Sequence, residues 1–94
     1  MIVQIIKLKT SLPKEDLLEK ARKRAPQFEA ISGLLQKYYV KLEDGRYGGV
    51  YIWDSEESLA AFRSSELAST IAEAYQLTEA PQIEIMDVLF ELRK

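Results

Sequence analysis

Residues 33–54, GLLQKYYVKLEDGRYGGVYIWD, constrain the fold of this chain more than any other stretch. Two runs rich in Leu, Val, Ile, Tyr and Trp flank a short polar segment, EDGR, at residues 43–46. A glycine after an aspartate allows the positive φ that a tight hairpin requires. The stretch therefore predicts a β-hairpin, and this hairpin carries most of the aromatic side chains of the chain.

Two registers compete in the hairpin, and the register decides which side chains share a face. A two-residue Asp-Gly loop would place Tyr38 opposite Tyr51. A three-residue loop over residues 43–45, with Gly45 as the left-handed bulge residue, places Tyr38 opposite Val50. We prefer the second register because it separates the side chains into two distinct faces.

In that register one face is mainly aliphatic, and its glycine leaves room for a helix to approach. This face carries Leu34, Tyr38, Val40, Leu42, Gly48, Val50 and Ile52. The other face mixes aromatic and basic side chains, namely Leu35, Lys37, Tyr39, Lys41, Tyr47, Gly49, Tyr51 and Trp53. We expect helices to cover the aliphatic face and the aromatic face to remain open to a partner.

The segments outside the hairpin predict two further strands and two helices. Residues 2–8 and 82–92 are apolar at both parities, the pattern of strands covered on both faces. The first helix begins at Pro13 and ends at Ala25-Pro26, since a residue before proline disfavours the helical conformation. Phe28 then anchors a loop on the core.

The second helix begins at a capping-box-like pair, Asp54 and Glu57, and Ser64-Ser65 divides it in two. The order β-α-β-β-α-β predicts one α+β domain over residues 1–94, a ferredoxin-like fold with an antiparallel sheet and helices on one face. Two helices cover only one face of a sheet whose terminal strands are apolar on both, so a lone chain would expose a large apolar patch. We therefore expect a homodimer through the sheet face.

Composition excludes several classes of function. The net charge is only −2 and the charges are interspersed, so we expect neither a nucleic acid nor a membrane as partner. The chain lacks both cysteine and histidine, which excludes disulfides and thiolate chemistry and removes the commonest metal ligand. No metal or other cofactor is expected. The N-terminal apolar run is too short for a membrane span, so we expect a cytoplasmic protein.

The segment YGGVYIWDSEE at residues 47–57, with the helical residues that follow, resembles a family of small monooxygenases. This family belongs to the dimeric α/β-barrel superfamily, which includes the antibiotic-biosynthesis monooxygenase-like domains. The resemblance implies two ferredoxin-like subunits packed sheet to sheet, each with a ligand pocket. It also implies oxidation of a polyketide-like phenol without a cofactor. Members that bind haem typically use a histidine, which this chain lacks.

The candidate ligand site consists of Lys37, Tyr39, Tyr51 and Trp53, which line one wall of the hairpin in the preferred register. A flat aromatic ligand would lie against Trp53 beside the gap at Gly49, with the tyrosine hydroxyls on its polar groups. The Lys37 charge would favour an ionised ligand. The alternative is a non-catalytic dimeric protein, related to binding or stress, in which the same side chains fill the interior.

RNA binding is the rival from another class, because the RNA recognition motif shares this element order. Its sequence pattern places base-stacking aromatic residues on a central strand. Residues 46–53 align with that pattern. Glycine and valine occupy the two stacking positions. The pattern therefore argues against RNA binding.

Overall fold

A computed structural model describes residues 1–93, which form a four-stranded sheet with strand order β2-β3-β1-β4 and antiparallel neighbours. The helices cover one face of this sheet, so the prediction of a ferredoxin-like α+β fold is confirmed. The elements are β1 (Ile2–Leu8), α1 (Lys14–Glu29), β2 (Leu34–Lys41), β3 (Tyr47–Trp53), α2 (Glu56–Arg63), α3 (Glu66–Ser69), α4 (Ile71–Ala74) and β4 (Gln82–Asp87).

The hairpin adopts the preferred register from Gln36 to Lys41, with Tyr38 opposite Val50. An irregularity between Leu34 and Gln36 sets Leu34 opposite Trp53, so Leu34 shares the face of Trp53 rather than the predicted face of Val50.

In the turn, the Gly45 N–H donates to the Leu42 carbonyl oxygen at 2.9 Å, and the Leu42 N–H donates to the Arg46 carbonyl oxygen at 2.7 Å. Gly45 has a φ of +93°, the left-handed conformation expected of a bulge glycine. The three-residue loop is therefore confirmed.

Replacing Gly45 by valine should destabilise the protein by roughly 1–2 kcal/mol, because a β-branched residue is strained at positive φ. No atom lies within 4 Å of the position that a Cβ would occupy there, so strain alone produces the loss. Urea unfolding measures it. Gly45→Asn is the matched control, since asparagine tolerates this conformation. Equal midpoints for the valine and asparagine variants would contradict the explanation.

The two faces of the hairpin are the reverse of the sequence-based prediction. The aromatic face, with Tyr51 and Trp53 buried, lies against the helices. The aliphatic face with Val50 and Ile52 is the one left without a covering layer. Both faces carry apolar residues, and β1 is apolar at both parities, so hydrophobic pattern alone did not distinguish them. The large rings fill the space between a twisted sheet and its helices.

Strand β1 shows which parity faces the core. Ile2, Gln4, Ile6 and Leu8 are buried, and the residues between them are only half-buried. The core is completed by apolar side chains of the helices and β3: Leu17, Ala21, Phe28, Tyr51, Trp53, Leu59, Phe62, Ile71 and Tyr75. Gln4 is the one buried polar residue in the described chain. Its amide accepts a hydrogen bond from Nε1 of Trp53 at 3.0 Å, which satisfies both groups.

Helix α1 does not end at Pro26, as the sequence had suggested, but continues through it to Glu29. An interior proline removes one hydrogen bond and clashes with the preceding turn, at a cost of about 3 kcal/mol. The extra turn places Phe28 in the core, where its ring meets those of Tyr51 and Phe62 at centroid distances of 6.2 and 6.1 Å. Burial of this ring offsets the cost. Phe28 is thus a helical core residue rather than a loop anchor.

Two other boundaries also follow from hydrogen-bond partners. The predicted break at Ser64-Ser65 is confirmed, since the Ser65 side chain caps α3 by accepting from the Ala68 N–H at 3.2 Å. The last strand, predicted over residues 82–92, ends at Asp87. Its partner β1 begins at Ile2, opposite Asp87, so later residues have no strand to pair with beyond one bond from Val88 to Met1.

Gly48 makes room for a strand rather than for a helix. A Cβ atom at Gly48 would lie 2.6 Å from the carbonyl oxygen of Ile6 in β1. Since that neighbour is backbone, it cannot move aside without disturbing the sheet. The glycine therefore permits close pairing of β3 with β1.

Candidate functional site

The helix-facing side of the hairpin brings three of the four predicted site residues together. Lys37 lies opposite Tyr51, and Tyr39 lies opposite Gly49. A Cβ atom at Gly49 would lie 2.9 Å from Cε1 of Tyr51 and 3.3 Å from Cε of Lys37. The space left by the missing side chain is therefore occupied by the tyrosine ring and the lysine chain.

The Lys37 side chain ends among three aromatic rings. Its Nζ lies 3.4 Å from the ring centroid of Phe28, 4.4 Å from that of Tyr39 and 4.6 Å from that of Tyr51. The ring faces attract the ammonium form. Burial, and to a lesser extent the charge of Arg24, act in the opposite direction and lower the pKa of Lys37 from 10.5 to about 7. At neutral pH the group is thus divided between amine and ammonium.

Three phenols surround the same space, with Tyr75 at the end of α4 joining Tyr39 and Tyr51. Burial is the largest cause that raises the pKa of all three above the usual value of 10. The positive charge of Arg24 opposes this rise in each case. The phenols therefore keep their protons at neutral pH and can donate hydrogen bonds to a ligand oxygen.

Arg24 closes the helix side of this cluster. Its guanidinium carbon lies 5.9 Å from the ring centroid of Phe28 and 5.7 Å from that of Tyr75, and it donates a 3.0 Å hydrogen bond to the Leu67 carbonyl oxygen. The Nε of Arg24 and the hydroxyl of Tyr75 are buried and make no hydrogen bond of good geometry among residues 1–93, although the guanidinium lies close enough to the phenol to act on its pKa. Buried polar groups of this kind call for a water or a ligand atom.

A small cavity and a larger recess meet at Lys37 and Tyr39. The cavity, about 20 Å³ in volume, is bordered by these two residues together with Tyr51 and Tyr75. It has room for about one water. The recess, about 320 Å³, lies along the outer strand β2 and is also bordered by Lys37 and Tyr39. The recess by itself lies within the size range of small-molecule sites, which starts at about 300 Å³.

Trp53, the fourth predicted residue, borders neither space. Its indole is fully buried and stacks on the Tyr51 ring, with centroids 6.1 Å apart and planes 2° from parallel. The ring of Phe62 packs on it at a centroid distance of 5.2 Å. In this arrangement Trp53 supports the Tyr51 wall from behind.

Three members of the cluster were not among the predicted site residues. The helical period of Tyr75 marked it as part of an apolar stripe, and Arg24 lies in a basic run typical of a solvated helix end. Phe28 follows a proline, which concealed its place in the helix. These three residues are far from the hairpin in the sequence, so no local sequence pattern linked them to it.

The pKa shifts predict how stability depends on pH. Between about pH 7 and 10.5 the unfolded chain binds a proton at Lys37 that the folded chain lacks, so stability should rise with pH by roughly 4 kcal/mol. Above pH 10 the unfolded chain loses phenol protons that Tyr39, Tyr51 and Tyr75 retain, so stability should fall. Thermal melts should therefore show a maximum near pH 10.

The Lys37→Met variant isolates the lysine contribution, because methionine keeps an unbranched apolar chain among the rings. We expect this variant to lose the rise between pH 7 and 10 and to keep the fall above it. A wild-type melting temperature that declines steadily from pH 7 would contradict the lowered pKa of Lys37.

The donors around this cavity include the amine of Lys37 and the phenols of Tyr39, Tyr51 and Tyr75. No group of three acidic, cysteine or histidine residues capable of holding a metal occurs within residues 1–93. The 20 Å³ cavity is by itself far smaller than a porphyrin. The helices of the described chain include none that is both long and apolar enough to cross a membrane.

Known structures resemble this one closely in fold and weakly in sequence. A protein from Nitrosomonas europaea, provisionally named an antibiotic biosynthesis monooxygenase, superposes with a TM-score of 0.76 at 18% identity, covering 96% of this chain and 100% of its own. SnoaB, a cofactor-independent oxygenase from Streptomyces nogalater, gives a TM-score of 0.77 at 9% identity, covering 99% and 97%.

A MhuD variant with two manganese protoporphyrin IX molecules bound per active site gives a TM-score of 0.72 at 18% identity, covering the whole of both chains. No protein-family model matches the sequence, and no curated protein matches it. The identities are low enough that the likeness establishes the fold alone. This chain thus has the fold of the antibiotic biosynthesis monooxygenase-like proteins, as the resemblance of residues 47–57 had indicated.

Proposed function

We propose that a protein with this fold and this lysine-phenol cluster binds a planar aromatic or polyketide-like phenol and oxidises it with O2, without metal or haem. The observation that carries the proposal is the Lys37 amine, held among three rings at the junction of the cavity and the recess. The chain has no histidine, so this amine is the group suited to act as a base near neutral pH.

The ligand enters from the recess along β2 when the Lys37 and Tyr39 side chains rotate aside. Its ring lies against Tyr51, whose position is secured by the stacked Trp53 behind it. One polar substituent reaches the buried Tyr75 hydroxyl and the Arg24 Nε–H, which make no hydrogen bond of good geometry among the described residues. These contacts satisfy two groups whose burial otherwise costs about 1–3 kcal/mol each.

Lys37 then accepts the hydroxyl proton of the ligand and becomes an ammonium. The ammonium and the protonated phenols stabilise the resulting enolate, because hydrogen bonds from charged and buried donors are strong where water is excluded. The electron-rich carbon of the enolate reacts with O2. A methylene carbon becomes a carbonyl, one oxygen atom enters the product, and the other leaves as water with the two hydrogens.

In this proposal the protein is a homodimer that forms through the face of the sheet that the helices leave uncovered, called the bare sheet face below. Val3, Ile5, Val40, Val50 and Ile52 point to that face, with Tyr38 and Met86 at its margins 55% and 46% exposed. A second copy would cover these side chains by a two-fold operation. The sequence analysis also predicted a dimer, but through the aromatic face of the hairpin. The reason for expecting a dimer is the same, namely that the helices cover only one face of a sheet that is apolar on both.

Trp53 fluorescence and oxygen uptake test the proposal with a panel of naphthols and anthrones. We expect a ligand that stacks on Tyr51 to quench Trp53, and its oxidation to consume one O2 per molecule. Lys37→Met should lower turnover by about 100-fold or more, as expected for loss of a general base. Lys41→Met is the matched control, since Lys41 is an exposed lysine on the same strand.

A non-catalytic dimeric protein with a filled interior is the second candidate, and the small volume of the cavity favours it. In that case no compound of the panel would quench Trp53 or consume oxygen. Tyr51→Phe would then change the unfolding midpoint without changing any binding signal. That pair of results would replace the oxygenase proposal with the filled interior.

A further inference from the structure

Lys37 stands apart from the other lysines in its surroundings. Lys7 pairs with Glu84 at 2.9 Å and Lys23 with Glu19 at 3.3 Å, whereas the nitrogen of Lys37 lies over the rings of Phe28, Tyr39 and Tyr51. The charge that acts on it is the positive Arg24, which together with burial lowers its pKa. A lysine desolvated beside another cation has the environment of known amine nucleophiles.

The Lys37 side chain also borders a recess that is open to solvent. This is the recess along β2, an edge strand of the sheet. Much of the recess wall is apolar, formed by Ala25, Phe28 and Leu34, while Glu29 and Gln36 supply polar groups. This lining suits a compound with an apolar body and a single polar reactive group.

We infer that Lys37 captures small apolar aldehydes and ketones as a Schiff base, independently of any reaction with oxygen. The amine nitrogen attacks the carbonyl carbon, and the carbonyl oxygen takes up a proton to give a carbinolamine. Loss of that oxygen as water forms the C=N bond, so one amine and one carbonyl yield one imine and one water. Tyr39 and Tyr51, whose ring centroids lie 4.4 and 4.6 Å from the nitrogen, carry protonated phenols that can donate a proton to the departing oxygen.

Benzaldehyde with cyanoborohydride tests this inference in the intact protein at pH 7.4, with the adducts located by peptide mass mapping. Cyanoborohydride reduces the imine to a stable amine, which records where the capture occurred. We expect modification at Lys37 to be roughly tenfold or more faster than at any other lysine, because roughly 70% of its amine is unprotonated at this pH, against about 0.1% for a lysine of ordinary pKa. Acetylacetone, which needs no reductant, should add to Lys37 with loss of one water.

Matched variants separate chemistry from packing. Lys37→Arg keeps the charge and Lys37→Met keeps the apolar chain, and neither should form the adduct, whereas Lys41→Met should leave the adduct at Lys37 unchanged. The rate at Lys37 should level off just above pH 7, while the rates at other lysines continue to rise. An even spread of adducts over the lysines, or an unmodified Lys37 in the wild-type protein, would overturn the inference.

The outcomes also separate this inference from the proposed oxygenase. Adduct formation under argon, without oxygen uptake in air, would support capture of carbonyl compounds and contradict the oxygenase. Oxygen uptake with no adduct would assign Lys37 the role of a base alone.

Discussion

Replacing Val50 by glutamate should convert the proposed dimer into a folded monomer. Val50 lies in the middle of the bare sheet face, between Tyr38 on β2 and Ile5 on β1. A two-fold interface buries the substituted side chain in both copies. Each unpaired buried charge costs about 3 kcal/mol or more, so the dimer should weaken by about four orders of magnitude.

Sedimentation equilibrium at micromolar concentration measures this change against the monomer mass of 10.8 kDa. Val50→Thr is the matched control, because threonine keeps the branched shape and adds no charge. Met86→Glu, at the exposed edge of the same face, should weaken the dimer less. A wild-type protein that sediments as a monomer, or a Val50→Glu variant that remains a dimer, would contradict the proposed interface.

Replacing Trp53 by alanine should lower the free energy of unfolding by about 4 kcal/mol, a large part of the 5–15 kcal/mol typical of a small domain. The indole is fully buried between Tyr51 and Phe62, and its removal leaves a cavity there. The amide of Gln4 also loses its partner. Urea unfolding measures the loss.

Two variants divide this loss into packing and hydrogen bonding. Trp53→Phe keeps much of the ring volume but leaves the Gln4 oxygen unsatisfied, which costs about 1–3 kcal/mol. Adding Gln4→Leu removes the unsatisfied group and should restore part of the stability. If Trp53→Ala unfolds at the wild-type urea concentration, the indole is not a core residue, and a direct role in ligand binding regains support.

Tyr51 takes part both in the proposed ligand site and in the packing of the core. Its ring is a wall of the cavity on one side and a stacking partner of Trp53 on the other. Substitutions at Trp53 should therefore disturb ligand binding indirectly, through the position of Tyr51. Lys37 substitutions, in contrast, should act directly on turnover and on the pH dependence of stability, because the nitrogen lies among the rings that border the cavity.

The sequence by itself determined the element order, the hairpin and its register. These depend on local chemistry, namely the glycine at position 45 with its positive φ and the period of two along the strands. It also placed Lys37, Tyr39 and Tyr51 side by side, since neighbours across a hairpin follow directly from its register. The break at Ser64-Ser65 followed from capping chemistry in the same way.

Tertiary structure alone decided which hairpin face the helices cover. Both faces are apolar, so the hydrophobic pattern of the strands does not show which of them packs against the helices. Tertiary packing also extends α1 past Pro26, because the burial of Phe28 outweighs the cost of a proline inside the helix. It ended β4 where its partner strand begins. Above all it brought Arg24, Phe28 and Tyr75 to Lys37 from distant parts of the chain, and the resulting desolvation, which no local pattern records, lowers the pKa of the lysine.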